Sequence, residues 1–331
     1  MAATSQRTLC TGAAGFIGSH LVRALLDRGD EVWGLLGPDD APDPAIGSAV
    51  TWIRGDLTRP DTLDELRRPF TTVYHLAGLL TSSDEDQLFL VNFEGTRNLV
   101  EALTTQSLPP RLVFASSLAA GGPAARRSGR SEDEPSCPVS PYGRSKRMAE
   151  LYLQAIGARV PTTIVRLPLV YGPGSGGGLF AYFRMVRMRC CFIGGKTVAF
   201  TLGYVGDVVR GLLLLGSDDA TAGGTYCLGD PRPYQLPEII AAIEAALKRR
   251  ALRIHIPWLI GYWGTALVEA LAAARGREPA VSRQDLDGFL RFPYWIANTA
   301  KVEREVGFSP ATSLGEGVEL AAAWYRQRGW I

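Results

Sequence analysis

The segment TLCTGAAGFIGSHLVRALLDRG, residues 8–29, contains the pattern that decides the fold. It begins as a short apolar run typical of a buried strand and ends with the apolar spacing of a helix. Three glycines, Gly12, Gly15 and Gly18, lie between the two. A glycine at the turn lets the chain reverse, one at the helix start lets backbone N–H groups approach a pyrophosphate, and a third allows close helix–strand packing. Because the N-terminus of a helix favours negative charge, the segment predicts a dinucleotide-binding turn.

Strands and helices alternate through the first half of the chain. Short runs of apolar, β-branched and aromatic residues predict strands that are buried on both faces. These runs are residues 8–12, 31–36, 50–53, 71–77, 111–117 and 162–167. Amphipathic runs at 19–29, 92–103 and 142–157 predict the helices between them. This alternation predicts an α/β fold with a Rossmann-type, doubly wound parallel sheet.

The pattern changes after about residue 170, where glycine and proline cluster in YGPGSGGG. We therefore expect residues 1–170 to form the dinucleotide-binding domain, with 200–228 returning to it. Residues 171–199 and 229–331 are expected to form a smaller, mostly helical C-terminal cap that binds the substrate. Helices are predicted there at 236–250 and 256–274. Such a cap would cover the carboxyl edge of the sheet, where α/β folds bind their ligands.

The composition excludes several classes of function. With 46% hydrophobic and 21% charged residues, the chain has the composition of a globular protein. A net charge of +2 gives no electrostatic footprint for nucleic acid. Five scattered cysteines and three histidines show no zinc-site spacing, so no metal is predicted. The N-terminus lacks the layout of a signal peptide, and unpaired cysteines suit a reducing compartment, so we expect a cytoplasmic protein.

Two further strand ends bear on the cofactor. Asp56, after the third strand, is placed to accept from an adenine amino group, or alternatively to cap the next helix. HLAG, residues 75–78, predicts backbone packed beside the cofactor, with His75 structural rather than catalytic. After the second strand, Leu36 and Gly37 occupy the positions that commonly select between NAD and NADP. The downstream carboxylates at 39–40 would repel a 2′-phosphate, which favours NAD(H) over NADP(H).

A candidate catalytic pair lies in SPYGRSKRMAE, residues 140–150. Tyr142 and Lys146 are four residues apart at the start of a predicted helix, so they share one face. A phenol is a poor base at neutral pH, but a neighbouring ammonium and a positive nicotinamide ring both favour the phenolate. We therefore expect the pKa of Tyr142 to be lowered. Ser116 and Ser117 end the fifth strand at the same sheet edge, where a hydroxyl could hold the substrate oxygen.

The motifs together resemble the extended short-chain dehydrogenase/reductase superfamily, which includes nucleotide-sugar epimerases, dehydratases and 3β-hydroxysteroid dehydrogenases. They run in order along nearly the whole chain: TGAAGFIG, GDL, HLAG, VNFEGTRNLVEA, FASS, SPYGRSK, RLPLVYGPG, YVGDVVRGLLL and GGTYCLGD. The resemblance implies an enzyme with Ser117, Tyr142 and Lys146 as catalytic residues, and a homodimer. It implies cofactor contacts at Gly12, Gly15, Phe16, Ile17, Gly18, Asp56, Leu57, Leu76, Ala77, Gly78, Asn92, Tyr142, Lys146, Pro168 and Val170.

The substrate side departs from the nucleotide-sugar relatives. Phe200 stands where those enzymes usually have a basic residue for the pyrophosphate, and Ala120-Gly121-Gly122 replaces a Val-Tyr-Gly after the serines. The 256–274 segment is strongly apolar, as in a core helix, a wall for a hydrophobic ligand or a face on a membrane surface. We therefore expect a small, largely apolar substrate.

Three functions are compatible with these features. The leading hypothesis is an NAD(P)-dependent oxidoreductase acting on a secondary alcohol or ketone of an apolar alicyclic molecule, such as a 3β-hydroxysteroid or terpenoid. The alternative is a nucleotide-sugar 4-epimerase or dehydratase that keeps its cofactor through the cycle. A non-catalytic, cofactor-binding regulatory protein is the third, and the Ser117, Tyr142 and Lys146 set counts against it.

Overall fold

The computed structural model describes residues 6–331 except 45, 107, 195–197, 257–262, 267–269 and 271–290. Its strands are β1 (Arg7–Thr11), β2 (Glu31–Leu36), β3 (Thr51–Arg54), β4 (Thr72–His75), β5 (Arg111–Ser117), β6 (Thr162–Leu167), β7 (Leu169–Tyr171), β8 (Cys190–Gly194), β9 (Ala199–Phe200), β10 (Leu202–Tyr204), β11 (Thr225–Cys227), β12 (Tyr234–Gln235), β13 (Leu252–Ile256) and β14 (Tyr294–Trp295). Its helices are α1 (Phe16–Arg28), α2 (Glu85–Phe89), α3 (Gly95–Leu103), α4 (Leu118–Gly121), α5 (Pro141–Ala155), α6 (Phe180–Arg187), α7 (Val205–Ser217), α8 (Leu236–Leu247), α9 (Ala300–Val306) and α10 (Leu314–Gln327).

Seven parallel strands form the main sheet in the order β11-β6-β5-β4-β1-β2-β3. The order reverses direction on either side of β1, which makes the sheet doubly wound and confirms the predicted Rossmann-type fold. All six predicted strands are present, although β1 is shifted one residue towards the N-terminus, β3 is shifted one residue towards the C-terminus, and β4 is shorter than its apolar run. The seventh strand, β11, comes from the 200–228 segment.

Helices cover both faces of this sheet. α1 and α7 pack on one face through residues such as Leu21, Leu25, Val208 and Leu212. α3 and α5 pack on the other face, where their apolar residues meet those of the central strands. The predicted helix over 92–103 is interrupted, because Leu90–Glu94 forms a π-helical turn before α3 begins. Helices therefore exclude solvent from both faces of the sheet. Ligands can reach the sheet at its edges.

The C-terminal region contains a separate apolar cluster built on α6, α8 and α10. It is helical, as predicted, and it also carries two small sheets, β8 with β13 and β12-β9-β14. Most of the predicted 256–274 helix lies outside the described residues; beyond the end of β13 only 263–266 and 270 are described there, and they are helical. The proposed division into a dinucleotide domain and a cap stays a prediction.

A buried ion pair ties α5 to the centre of the sheet. The Glu150 carboxylate of α5 accepts hydrogen bonds from Arg166 of β6 at 2.7 and 2.9 Å. It also accepts from the Ser116 hydroxyl at 2.6 Å and from Arg147 at 2.8 Å. Burial alone would raise the pKa of Glu150, but these donors outweigh it and hold the pKa below its ordinary value.

We expect Glu150→Gln to lower the free energy of unfolding by about 3–5 kcal/mol at neutral pH, because it leaves the Arg166 guanidinium buried without a counter-charge. Since the pKa of Glu150 is lowered in the folded state, its contribution is present above its unfolded pKa and is lost as the pH falls through the folded value. The stability gap between the wild type and the variant should therefore narrow on acidification.

Urea unfolding at several pH values measures this gap. Glu101→Gln, at an exposed ion pair with Arg97, is the matched control and should change stability by less than about 0.5 kcal/mol. Equal losses in the two variants would contradict the assigned role of Glu150.

Candidate active site

The glycine turn between β1 and α1 is shaped to receive an anion. Gly12 has φ +67°, and a Cβ there would lie 2.7 Å from the Ala77 amide nitrogen. A Cβ at Gly18 would lie 2.0 Å from the Gly12 carbonyl oxygen. α1 then begins at Phe16 without a side-chain cap, next to the exposed Gly15. The first amides of the helix, including those of Phe16 and Ile17, thus remain available to a pyrophosphate.

The segment after β4 runs against this turn. The amides of Leu76 and Ala77 donate to the carbonyl and hydroxyl oxygens of Thr11, each at 3.2 Å. The missing side chain of Gly78 leaves room for two neighbours, since a Cβ there would lie 2.9 Å from both Asn92 Oδ1 and Lys146 Nζ. The backbone of 76–78 therefore lines the same edge as the glycine turn, where the sequence places it.

Asn92 is a buried bridge between elements. Its amide group accepts from the Leu79 N–H and donates to the Leu79 carbonyl, both at 2.8 Å. It also donates to the Ser145 hydroxyl of α5 at 3.0 Å. It lies within the π-helical turn, so the irregular helix is what aims this side chain at α5.

His75 is structural. Its ring bonds Thr11 Oγ1 at 2.7 Å and Thr96 Oγ1 at 2.9 Å. Because the Thr96 hydroxyl donates to the Asn92 carbonyl, it accepts from His75 Nε2–H, and the ring is neutral. Burial, followed by the Lys146 charge, lowers the pKa of His75 to about 3. The ring therefore holds β1, β4 and α3 together and exchanges no proton near neutral pH.

Lys146 is a buried cation beneath the end of β5. Its ammonium donates to the Ala115 carbonyl at 3.0 Å and lies 4.9 Å from the centre of the Phe114 ring. Burial lowers the pKa of Lys146 to about 8, although the Glu150 charge opposes this shift. The ammonium is therefore held in place by β5 and is close to its own titration point.

Tyr142 and Ser117 meet at the carboxyl end of β5. The Ser117 hydroxyl is close enough to Tyr142 to lower the pKa of the phenol, and the Ser117 Oγ accepts from the Ala119 amide at 3.1 Å. Burial raises the pKa of Tyr142 to about 12, and the hydrogen bond from Ser117 lowers it only in part. The lowered pKa expected from the sequence requires the nicotinamide ring as well as Lys146, so it stays a prediction; in the protein alone, desolvation of the phenolate outweighs the effect of Ser117.

The two serines of FASS have different roles. Ser116 donates to the buried Glu150, whereas Ser117 faces Tyr142. Successive side chains of a strand point to opposite faces, which separates the pair. Sequence patterns missed the Ser116, Glu150 and Arg166 network, although an arginine inside the apolar run TTIVRL signals a buried partner.

The remaining predicted cofactor residues surround the same sheet edge. Pro168 directly follows β6, Val170 lies in β7, and Leu57 is buried after β3. Asp56 Oδ1 accepts from the amide and hydroxyl of Thr58 at 2.8 and 2.7 Å, so it stabilises a turn and not the helix cap given as its alternative role, since Arg59 is the N-cap of the helical turn that follows; the adenine contact stays a prediction. Asp40 Oδ2 accepts from the Gly37 amide at 2.9 Å, which brings a carboxylate to the end of β2.

The chain matches a known protein family. Residues 8–229 match the model of the NAD dependent epimerase/dehydratase family. The chain belongs to this family. The nicotinamide cofactor and the superfamily predicted from the sequence are confirmed at this level.

Relatives match this family member along nearly its whole length. UDP-glucuronate 4-epimerase 3 of Arabidopsis thaliana is 28% identical over 96% of the chain and 76% of the plant protein. Ceramide reductase of Caulobacter vibrioides is also 28% identical, over 97% of the chain and 95% of its own length. The structure of UDP-glucose 4-epimerase from Thermus thermophilus in complex with NAD is 26% identical, covers 97% and 99% of the two chains, and superposes with a TM-score of 0.79.

In the part of the chain that the structure describes, no helix has the length and apolarity required to cross a bilayer. The small-molecule substrate is consistent with the relatives, whereas the predicted dimer stays a prediction.

We expect Gly18→Ala to weaken NAD binding and to lower the melting temperature, because the new methyl group must displace the Gly12 carbonyl from the turn. Calorimetric titration with NAD and thermal unfolding measure the two effects.

Gly315→Ala is the control, since a Cβ at Gly315 of α10 meets nothing within 4 Å. It should leave NAD affinity unchanged and stabilise the helix slightly, by up to about 1 kcal/mol. Unchanged NAD affinity in Gly18→Ala would count against the glycine turn as the pyrophosphate site.

Proposed function

We propose that this protein is a sugar 4-epimerase that oxidises a secondary hydroxyl to a ketone and reduces it again on the opposite face. The observation that carries the proposal is the placement of Ser117 and Tyr142 together at the carboxyl end of β5, next to the buried Lys146 ammonium that the Ala115 carbonyl holds. When bound, NAD supplies the hydride acceptor for this chemistry. The protein's own residues have to hold the substrate oxygen, move its proton and position its ring.

Ser117 and Tyr142 act on the substrate oxygen. Ser117 Oγ holds the hydroxyl, and the Tyr142 oxygen takes the hydroxyl proton as the carbon–oxygen double bond forms. In the return step the Tyr142 hydroxyl gives a proton back to the same oxygen. Because burial keeps the pKa of Tyr142 near 12 in the protein alone, the phenolate has to be stabilised by positive charge that arrives with the bound ligands.

Lys146 assists this proton transfer through its positive charge. Its ammonium is fixed by the Ala115 carbonyl and the Phe114 ring, so it adds positive potential without changing position. Asn92 fixes the segment after β4 and the first turn of α5 through Leu79 and Ser145. These contacts pre-organise the site, and little reorganisation is needed when the substrate binds.

Similarity to the relatives favours epimerisation of a sugar over net oxidation. Two of the three proteins compared above are 4-epimerases of UDP-sugars, and each is aligned with 96% or more of this chain. The proposal therefore replaces the steroid hydroxyl of the sequence hypothesis with a sugar hydroxyl. The epimerase that was its alternative becomes the leading function.

A second candidate is reduction of a ketone on an apolar substrate. Phe200, which stands in the place of the expected arginine, is half-buried and packs against the apolar cluster of the C-terminal region. It offers no charge to a pyrophosphate. The similarity to a ceramide reductase over 97% of the chain is in line with an apolar substrate.

Replacing each of the two serines should have a different effect on kcat. We expect Ser117→Ala and Tyr142→Phe to lower kcat by about 100-fold or more, since each removes a group that handles the substrate proton. Ser116→Ala should retain most of kcat and lose stability instead, because its hydroxyl bonds the buried Glu150. Loss of kcat in Ser116→Ala without loss in Ser117→Ala would contradict the assigned roles.

The substrate class is tested with UDP-glucose, UDP-glucuronic acid and an N-acylsphingoid ketone. An epimerase should convert the UDP-sugar to its 4-epimer without net change in NADH absorbance, and should be stabilised by UDP in thermal unfolding. Stoichiometric NADH consumption with the lipid ketone, together with no response to either UDP-sugar, would replace the leading function with the second candidate.

A further inference from the structure

A cluster of cations covers one corner of the C-terminal region, away from the catalytic residues in sequence. The segments 184–189 and 244–254 carry seven arginine and lysine side chains and one carboxylate, a net charge of +6 in a chain whose total is +2. The rest of the protein is therefore net negative. The basic patch consists of Arg184, Arg187, Met188, Arg189, Lys248, Arg249, Arg250, Leu252, Arg253 and Ile254, all of them exposed.

The backbone brings the two segments together. β8 and β13 run parallel with Cys190 opposite Leu252, and the Leu252 amide donates to the Arg189 carbonyl at 2.9 Å. Arg249, after the end of α8, donates to the carbonyl of Arg187 at the end of α6 at 3.2 Å. The C-terminal ends of both helices and the starts of both strands thus meet at one surface.

These cations are not neutralised by neighbouring side chains. Within the ranges that the structure describes, Arg253 is the one member of the patch with an ion pair, to Glu244 at 3.1 Å. The ends of α6 and α8 attract positive charge, but this effect is confined to the last helical turn. Arg189, Arg250 and Arg253 lie beyond both helices, so helix capping does not account for them.

Apolar side chains are exposed among the cations. Met188 and Leu252 keep 66% and 69% of their surface in solvent, and Ile254 keeps 37%. Leu252 and Ile254 are two apart in β13, so both point to the same face of the strand. Exposing aliphatic groups next to guanidinium groups gains nothing in water, which indicates that this face meets a partner.

We propose that the basic patch docks the protein on an anionic lipid bilayer. Guanidinium and ammonium groups are attracted by lipid phosphates and serine carboxylates, while Met188, Leu252 and Ile254 enter the boundary between headgroups and acyl chains. The phosphate backbone of a nucleic acid would satisfy the cations but offers no apolar layer to the three exposed aliphatic chains. The combination therefore favours a membrane surface.

The experiment is co-sedimentation of the full chain with vesicles of equimolar phosphatidylcholine and phosphatidylserine, against vesicles of phosphatidylcholine alone. Sedimentation with the anionic vesicles and its decrease with added salt are expected. The triple variant Arg184→Gln/Arg187→Gln/Arg250→Gln should bind on the order of 100-fold more weakly, from about fivefold for each cation.

A matched control removes the same charge elsewhere. Arg59→Gln/Arg67→Gln/Arg304→Gln changes three exposed arginines outside the patch and should bind vesicles nearly as the wild type does. Met188→Ser/Leu252→Ser should also weaken vesicle binding while leaving all charges in place. Turnover in solution and melting temperature should be unchanged in these variants, because none of them touches the catalytic residues.

Three results would overturn the proposal. The wild type could remain in the supernatant with anionic vesicles, or the control triple variant could lose as much binding as the patch variant. Tight binding to polyuridylic acid, with vesicle binding unaffected by Met188→Ser/Leu252→Ser, would assign the surface to nucleic acid instead. Vesicle binding is measured without substrate, so it is independent of whether the protein is an epimerase.

Discussion

The position of α5 depends on the carboxylate of Glu150. This group is buried, and four hydrogen bonds from Arg166 of β6, Arg147 of α5 and Ser116 of β5 neutralise and orient it. Because a buried carboxylate is tolerated only in such a geometry, the helix has one stable depth and rotation against the sheet. Lys146 and Tyr142 lie one and two turns before Glu150 on the same helix, so their location follows from this anchor.

Without bound ligands, the candidate site disfavours the charged forms of both Tyr142 and Lys146. Burial raises the pKa of Tyr142 to about 12 and lowers that of Lys146 to about 8, so it disfavours the charged form of each group. A phenolate and an ammonium at the same edge therefore become favourable together only when further positive charge enters. In the proposed mechanism this arrangement couples proton transfer to cofactor binding, since the unligated protein holds Tyr142 as a phenol.

The glycine turn and the proposed substrate side depend on different kinds of contact. The cofactor side is built from backbone contacts, such as the approach of Gly12 to Ala77, that tolerate no added side chain. The proposed substrate side includes Phe200, which lies in the short strand β9 and which the sequence predicts to stand where sugar-nucleotide relatives usually have a basic residue. The turn after β1 therefore depends on the backbone, whereas we expect substrate choice to depend on individual side chains.

The sequence by itself determined the parallel sheet, the glycine turn and the Ser117, Tyr142 and Lys146 set, because each depends on local periodicity or on spacing within one segment. Only the tertiary structure decided which serine faces Tyr142, the neutral tautomer of His75 and the raised pKa of Tyr142. Those outcomes depend on burial and on partners such as Glu150, Arg166 and Thr96 that come from distant segments. The basic patch has the same origin, since its two halves are joined by the pairing of β8 with β13, which no local pattern records.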